Sequence, residues 1–378
     1  KKNFLLFLSN HSFRISLNIT LTVLSIMRFC AIYNKENNHI VDHLAPLCHI
    51  LNMPLYLTDS SCYEMAKKYY PHINIRYLDH FDFEYLAKNY DALFYCLFME
   101  QNLKNNFKMF HNKNMHLIFC PHGNGDKGFI KPFLKRYEDQ EHILTYGIHY
   151  INILKNLGIS QKIKAPFIIG NYRQHEYLKN KTFYQKIVEK EILPHLDPGK
   201  KTLLYAPTWN DEENLSSFFD AYNYVYELNE NKYNLIIKLH PYIKQHDPAA
   251  YYRITQDRSR KNFLLLSEFP YAYGLFDIID GFIGDFSSMI YDFFSQKKPM
   301  FFLNTTKLHD SHPTCFSHQG GIMISSHQLE NLEKIIDDNI DEWPKQKIEI
   351  QTQLFHESFA KKDYSNLKED LIDFFQMN

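Results

Sequence analysis

From Met27 onward, short apolar runs alternate with stretches whose apolar positions recur every three to four residues. The runs 27–33, 54–57, 73–78, 91–98, 115–120, 142–146 and 165–169 have the length and flanking turn residues of buried strands. Between them, His39 to Leu51 and Ser60 to Tyr69 carry helical spacing. Strands and helices alternating at this interval predict βαβ units and a parallel sheet. A helical, charged stretch from Arg173 to Glu191 is closed by Pro194 and by Pro198-Gly199. The alternation then restarts at Leu203–Tyr205, Leu235–Lys238, Phe263–Leu266, Ile278–Ile283 and Pro299–Leu303, and Trp343 to Phe375 reads as helical. The pattern therefore predicts an α/β chain of two Rossmann-like domains, with parallel sheets facing a cleft. The domains are expected at 27–168 and 169–345, followed by a helical segment at 346–378. In such sheets ligands bind beyond the carboxyl ends of the strands.

Ahead of Met27 the pattern changes. Phe4–Leu8 is too short for a signal-peptide core. Ile15–Met27 is interrupted by Asn18 and ended by Arg28, short of the roughly 18–20 apolar residues that a spanning helix needs. Residues 1–26 are expected to be a non-core tail or an over-extended start, with an amphipathic anchor on a membrane surface as the alternative.

Composition narrows the class. At roughly 100–200 residues per domain, 378 residues accommodate two full cores. Aromatic residues at 16% and only 12 glycines exclude a collagen-like or disordered chain. The 42 basic and 43 acidic residues leave a net charge of −1, which removes the whole-chain case for a nucleic-acid partner. Six cysteines, none in a CxxC pair and most in apolar stretches, read as reduced thiols of a cytoplasmic protein. No metal and no cofactor is expected: His309, His312 and His318 lie close in sequence, but no carboxylate completes a ligand set.

Four strand ends carry candidate chemistry. After 115–120 comes Pro121-His122-Gly123-Asn124-Gly125-Asp126-Lys127-Gly128. A histidine on such a loop can face the cleft and take a proton from a hydroxyl at neutral pH. The same stretch matches GxGxxG. It lies at the fifth strand, however, and no acidic residue ends the next one, so a dinucleotide site is disfavoured. Second, Tyr205-Ala206-Pro207-Thr208-Trp209 offers a hydroxyl to a phosphate and an aromatic wall. Third, Lys238-Leu239-His240-Pro241 puts Lys238 and His240 on one strand face, a pair suited to phosphate. Fourth, a strand ending near Gly284 leads into Asp285-Phe286-Ser287-Ser288. There Asp285 or Ser287 is expected to cap a helix running through Phe294, with serine hydroxyls and first-turn N–H groups available to a diphosphate. Each segment alone is also compatible with an ordinary turn, cap or core position.

Taken together and in this order, the segments resemble the CDP-glycerol glycerophosphotransferase family, which primes and extends teichoic-acid-type polyol-phosphate chains. The resemblance rests on His122-Gly123, Gly170-Asn171-Tyr172-Arg173, Tyr205–Trp209, Lys238–Pro241, Asp280–Ser288 and Lys298-Pro299. It implies a GT-B-like fold and metal-independent transfer of glycerol phosphate, or a related polyol phosphate, from a CDP-activated donor to a hydroxyl, releasing CMP. It implies His122 as general base and His240 on the donor phosphate. Thr208, Lys238, Ser287, Ser288 and Arg173 would hold the diphosphate, with Asp285 orienting its loop. Gly123, Asn124, Asp126 and Lys127 would face an acceptor that is a lipid-linked or saccharide polymer, which places the protein peripherally at the inner face of the cell membrane. The sequence departs from the family pattern at Gly284 and Phe286, where Thr and Tyr are usual, at Asn171, where Pro is usual, and around the His122 loop. Two alternatives remain: a nucleotide-sugar glycosyltransferase, for example a CMP-Kdo user, and a non-catalytic nucleotide- or glycan-binding scaffold. An NAD oxidoreductase ranks last.

Overall fold

The computed structural model describes residues 27–36, 38–97, 102–159, 163, 165–256 and 259–377; the tail expected at 1–26 lies outside them. The first sheet contains β1 (Phe29–Tyr33), β2 (Leu55–Leu57), β3 (Ile75–Tyr77), β4 (Ala92–Tyr95), β5 (His116–Phe119), β6 (His142–Thr145) and β7 (Ala165–Ile168). The second contains β8 (Lys201–Ala206), β9 (Tyr233–Lys238), β10 (Phe263–Leu266), β11 (Gly281–Gly284), β12 (Met300–Asn304) and β13 (Ile322–Ser325). Strand order is β3-β2-β1-β4-β5-β6-β7 in one and β10-β9-β8-β11-β12-β13 in the other. Every pairing is parallel. The order reverses between β1 and β4 and again between β8 and β11, creating the two crevices where such sheets take ligands.

The apolar runs become strands because helices cover both faces of each sheet, so a parallel strand has no polar side to show. β1, β4 and β12 are buried at every position. Asp59 and Asp82 accept the Cys62 and Tyr85 N–H groups at 2.8 and 2.9 Å, which fixes where the following helices begin. One continuous apolar cluster runs from Ala31, Phe94 and Ile118 of the first sheet to Leu204, Ile236 and Phe302 of the second. The last helix, Leu367–Met377, returns to the first sheet, where the Phe375 ring meets Phe29 at 6.1 Å and His142 at 5.1 Å.

β13 was not anticipated. It is a short edge strand with only Ile324 fully buried, and its apolar run, Ile322–Ile324, is only three residues long. All six cysteines are free and buried. Among the described residues, no helix is long and apolar enough to cross a membrane.

Candidate active site

The carboxyl ends of both sheets open onto a single cavity of about 400 Å³. β5 delivers the loop that carries His122, and β9 delivers Lys238 and His240. β8 ends in the Thr208 turn and β11 in the Ser287-Ser288 turn. The two imidazoles anticipated from the strand ends therefore share one chamber. A third, His39, stands between them, its ring 6.2 Å from that of His122 and 4.9 Å from that of His240. A fourth, His43, lies 6.2 Å from His122 on the other side.

Hydrogen bonds set the state of each ring. His240 Nδ1 accepts the Tyr242 N–H at 3.2 Å and caps helix Pro241–His246. The neutral ring therefore carries its proton on Nε2 and can donate it without being charged. Tyr146 donates its hydroxyl to the Pro121 carbonyl at 2.9 Å, so its oxygen accepts from His43 Nδ1 at 3.1 Å. His43 keeps a lone pair on Nε2. Desolvation lowers the pKa of His39, His43 and His240 well below the ordinary imidazole value, with repulsion from neighbouring basic groups adding to it. His122 is lowered to about 4, by the surrounding protein first and by Lys127 second. Its ring is exposed to the cavity, so water there offsets part of that desolvation. Burial also brings Lys238 down to about 8. Its ammonium donates to the Phe269 carbonyl at 2.6 Å.

Of the anticipated residues, His122, Gly123, Asn124, Lys127, Arg173, Thr208, Lys238, His240, Ser287 and Ser288 line the cavity. Asp285 does not. It is fully buried, and its carboxylate accepts N–H groups from Thr208 (2.8 Å), Phe286 (2.7 Å) and Ser217 (2.7 Å), plus the Ser217 hydroxyl (2.9 Å). This ties the β8 turn to the β11 turn. The expected helix is correspondingly different. It spans Met289–Phe293 with Ser288 at the N-cap position making no side-chain cap bond; Ser287 Oγ accepts the Met289 N–H at 3.4 Å, and Asp285 does not cap it. The carboxylate is spent across the crevice, and a helix this short adds little dipole.

The Arg173 guanidinium is held between two buried carboxylates, Asp42 at 2.5 Å and Asp292 at 2.7 Å. Asp126 lies behind the cavity wall, where it bonds His149 Nε2 at 3.1 Å, the Tyr291 hydroxyl and the Ser317 N–H at 3.0 Å. Asn124 donates to the Ser358 carbonyl at 3.1 Å. Lys127 reaches across the cleft to Thr208 Oγ1 at 2.9 Å and Asp211 at 2.6 Å. Glu213 answers from the other side, its carboxylate accepting the N–H groups of Gly128 (3.1 Å), Ile130 (3.0 Å) and Lys131 (2.9 Å). Gly123 has φ +108°, and a Cβ there would stand 2.8 Å from that of Ser288, so the two loops touch through it. Trp209 walls the chamber beside Tyr242 (4.7 Å) and stacks on His246 (4.8 Å).

His39 and His43 escaped the sequence reading. Their signal was present: they follow β1 at its carboxyl end, beside the point where strand order reverses. Of the weaker candidates, His318 serves the fold. It lies against Phe302 at 4.7 Å and bonds the Asp285 carbonyl at 2.6 Å.

A chamber with basic groups, hydroxyl donors and neutral imidazoles on both walls can hold a diphosphate and move a proton beside it. Known proteins resemble the chain in sequence and in fold. The family model described as CDP-Glycerol:Poly(glycerophosphate) glycerophosphotransferase matches residues 131–363, more than half of the chain. The teichoic acid poly(glycerol phosphate) polymerase of Bacillus spizizenii is 23% identical over 193 residues, covering 48% of this chain and 45% of that protein. The teichoic acid ribitol-phosphate polymerase TarL of Staphylococcus aureus is 24% identical over 280 residues, covering 57% and 48%. The chain thus spans about half the length of these curated relatives. A solved structure of the wall teichoic acid polymerase TagF superposes with a TM-score of 0.60 at 15% identity, covering 93% of this chain and 88% of that one. The shared fold is thereby GT-B-like.

Proposed function

Since the chain belongs to the CDP-glycerol glycerophosphotransferase family, we propose that it transfers a polyol phosphate from a CDP-activated donor to a hydroxyl of a lipid-linked or saccharide acceptor. The observation that carries this reading is the convergence of His122 and His240, from opposite sheets, on one cavity with Ser287, Ser288 and Thr208. The unit built on the first sheet (27–168) takes the acceptor, and that built on the second (169–345) takes the donor. His122, neutral at physiological pH, accepts the proton of the acceptor hydroxyl as its oxygen attacks the β-phosphorus. The bond from that phosphorus to the bridging oxygen breaks, and CMP departs with the electron pair. His240 donates its Nε2–H to the diphosphate as charge builds on the leaving phosphate, and the Ser287, Ser288 and Thr208 hydroxyls hold the remaining oxygens. Asp285 fixes the two turns that present them. Positioning and charge stabilisation supply most of the effect in such a transfer. A lipid-linked acceptor would put the protein peripherally at the inner face of the cell membrane.

Nucleotide release is the test, CMP from CDP-polyols and CMP-Kdo and UDP from UDP-sugars. The protein is incubated with CDP-glycerol, CDP-ribitol, CMP-Kdo or UDP-sugars, each with lipid-linked and saccharide acceptors. Acceptor-dependent CMP release from a CDP-polyol supports the reading. Turnover of a sugar donor alone, or nucleotide binding with no turnover of any donor, overturns it. Co-sedimentation with anionic vesicles tests the membrane placement, and failure to sediment refutes it.

A further inference from the structure

A second cluster of chemistry-bearing side chains lies apart from the cavity lining. His49 lies in the last turn of helix Val41–Ile50, His72 sits in the turn before β3, and Glu176 belongs to helix Tyr172–Lys179. His49 Nδ1 lies 2.6 Å from Glu176 Oε1, and His72 Nε2 lies 3.1 Å from the same oxygen. The three ligand atoms fall within 4.8 Å of one another. We propose that His49, His72 and Glu176 form a binding site for a divalent transition-metal ion of the zinc type.

Three observations support this. First, the donor set is two imidazoles and one carboxylate, the borderline ligands that suit zinc, with bonds of about 2.0–2.2 Å. The observed separations need only a small outward shift to admit an ion between them. Second, the Glu176 carboxylate is unevenly used. Oε1 serves His49, His72 and the Asn180 amide (2.6 Å), while Oε2 is buried with no hydrogen-bond partner. Glu176 is only 1% exposed, so an idle oxygen there is costly, and a cation drawn toward both oxygens would use it. Asn180 would then act as the outer partner that orients a ligating carboxylate. Third, the site is half open. The histidine side chains are 27% and 24% exposed, which gives an ion an entry path and leaves a coordination position for water.

The site would act as a brace. It would join the helix bearing Asp42 and His43 to the helix bearing Arg173, with Glu176 about one turn from Arg173 and His49 about two turns from Asp42. It takes no part in the phosphoryl transfer proposed above and does not depend on that reading.

The experiment uses the full chain stripped with EDTA and titrated with ZnCl2 over a range of pH, because metal binding competes with protons for the ligand atoms. Calorimetry and competition with a chromogenic chelator give stoichiometry and affinity. The melting temperature with and without zinc gives linkage to folding. Cobalt(II) absorption reports the ligand field. The expected result is saturable binding that raises the melting temperature. His72→Ala, in a surface turn, and Glu176→Gln should each weaken binding by at least about tenfold. His122→Ala is the control, because the cavity imidazoles are a competing zinc site. Binding that survives both cluster variants, or that disappears in His122→Ala alone, overturns the assignment. So does the absence of saturable binding below about 100 µM, a dissociation constant too weak to brace the fold.

Discussion

Replacing Arg173 by Met separates two roles for this residue. The side chain is 5% exposed, and its partners Asp42 and Asp292 are 7% and 4% exposed. With the guanidinium gone, Asp42 keeps the Tyr70 hydroxyl (2.7 Å) and Asp292 keeps that of Tyr273 (2.7 Å), and neither has a cation. Removing one partner of a buried ion pair costs about 3–5 kcal/mol, and here one deletion strands two carboxylates. Burial already raises the Asp42 pKa despite Arg173, so the loss drives it further up. The folded variant then holds more protons than the unfolded chain at mildly acidic pH. Its deficit is therefore largest near about pH 8 and shrinks toward about pH 5.5. Urea denaturation of variant and wild type at both pH values measures the difference. Adding Asp42→Asn and Asp292→Asn should recover most of the stability, since no charge is then stranded. A deficit under about 1 kcal/mol, or one that ignores pH, refutes the clamp. A raised donor KM with unchanged stability would instead return Arg173 to the diphosphate.

Three further outcomes follow from the cavity. His122→Ala should lower kcat/KM by about 10²–10⁴-fold with little change in melting temperature, because the ring faces water; near-normal turnover would remove it as the base. Lys127→Met breaks a charge-assisted contact of about 1.5–3 kcal/mol and should raise donor KM about tenfold or more; an unchanged KM would show the loop to be held by Glu213 alone. The pH profile of kcat/KM should have its acid limb below the ordinary imidazole value, since desolvation lowers His39, His43, His122 and His240. Its alkaline limb should fall near 8, where Lys238 loses its proton, and Lys238→Met should abolish that limb. The same histidines make folding stability, complete above the unfolded imidazole pKa of about 6.5, decline as pH falls below it. An acid limb at or above about 7 would contradict the lowered values.

Strands bounded by sharp turns were legible because buried parallel strands are uninterrupted apolar runs. Thr208, Lys238, His240 and Ser287-Ser288 were legible because each ends such a run. What periodicity hides is contact between distant positions. Nothing local marks Arg173 as the partner of Asp42, 131 residues away, so the ion pair was not legible, while its diphosphate role came only from the family resemblance. Asp285 looked like a helix cap because the nearest free N–H groups in sequence follow it. In space, Thr208 and Ser217 come within hydrogen-bonding distance as well, and they share the carboxylate with the Phe286 N–H. His39 and His43 sit in a polar opening of a helix, where only their placement beside the reversal of strand order distinguishes them from surface histidines.

The straps across the cleft limit how the molecule can work. Lys127 grips Thr208 and Asp211, Glu213 collects three amides of the facing loop, and Asp126 reaches Tyr291 and Ser317. A hinge that gaped at each turnover would have to undo all of them together. The cheaper course is for the halves to stay bolted, with whatever the cavity binds entering and leaving without the two sheets parting.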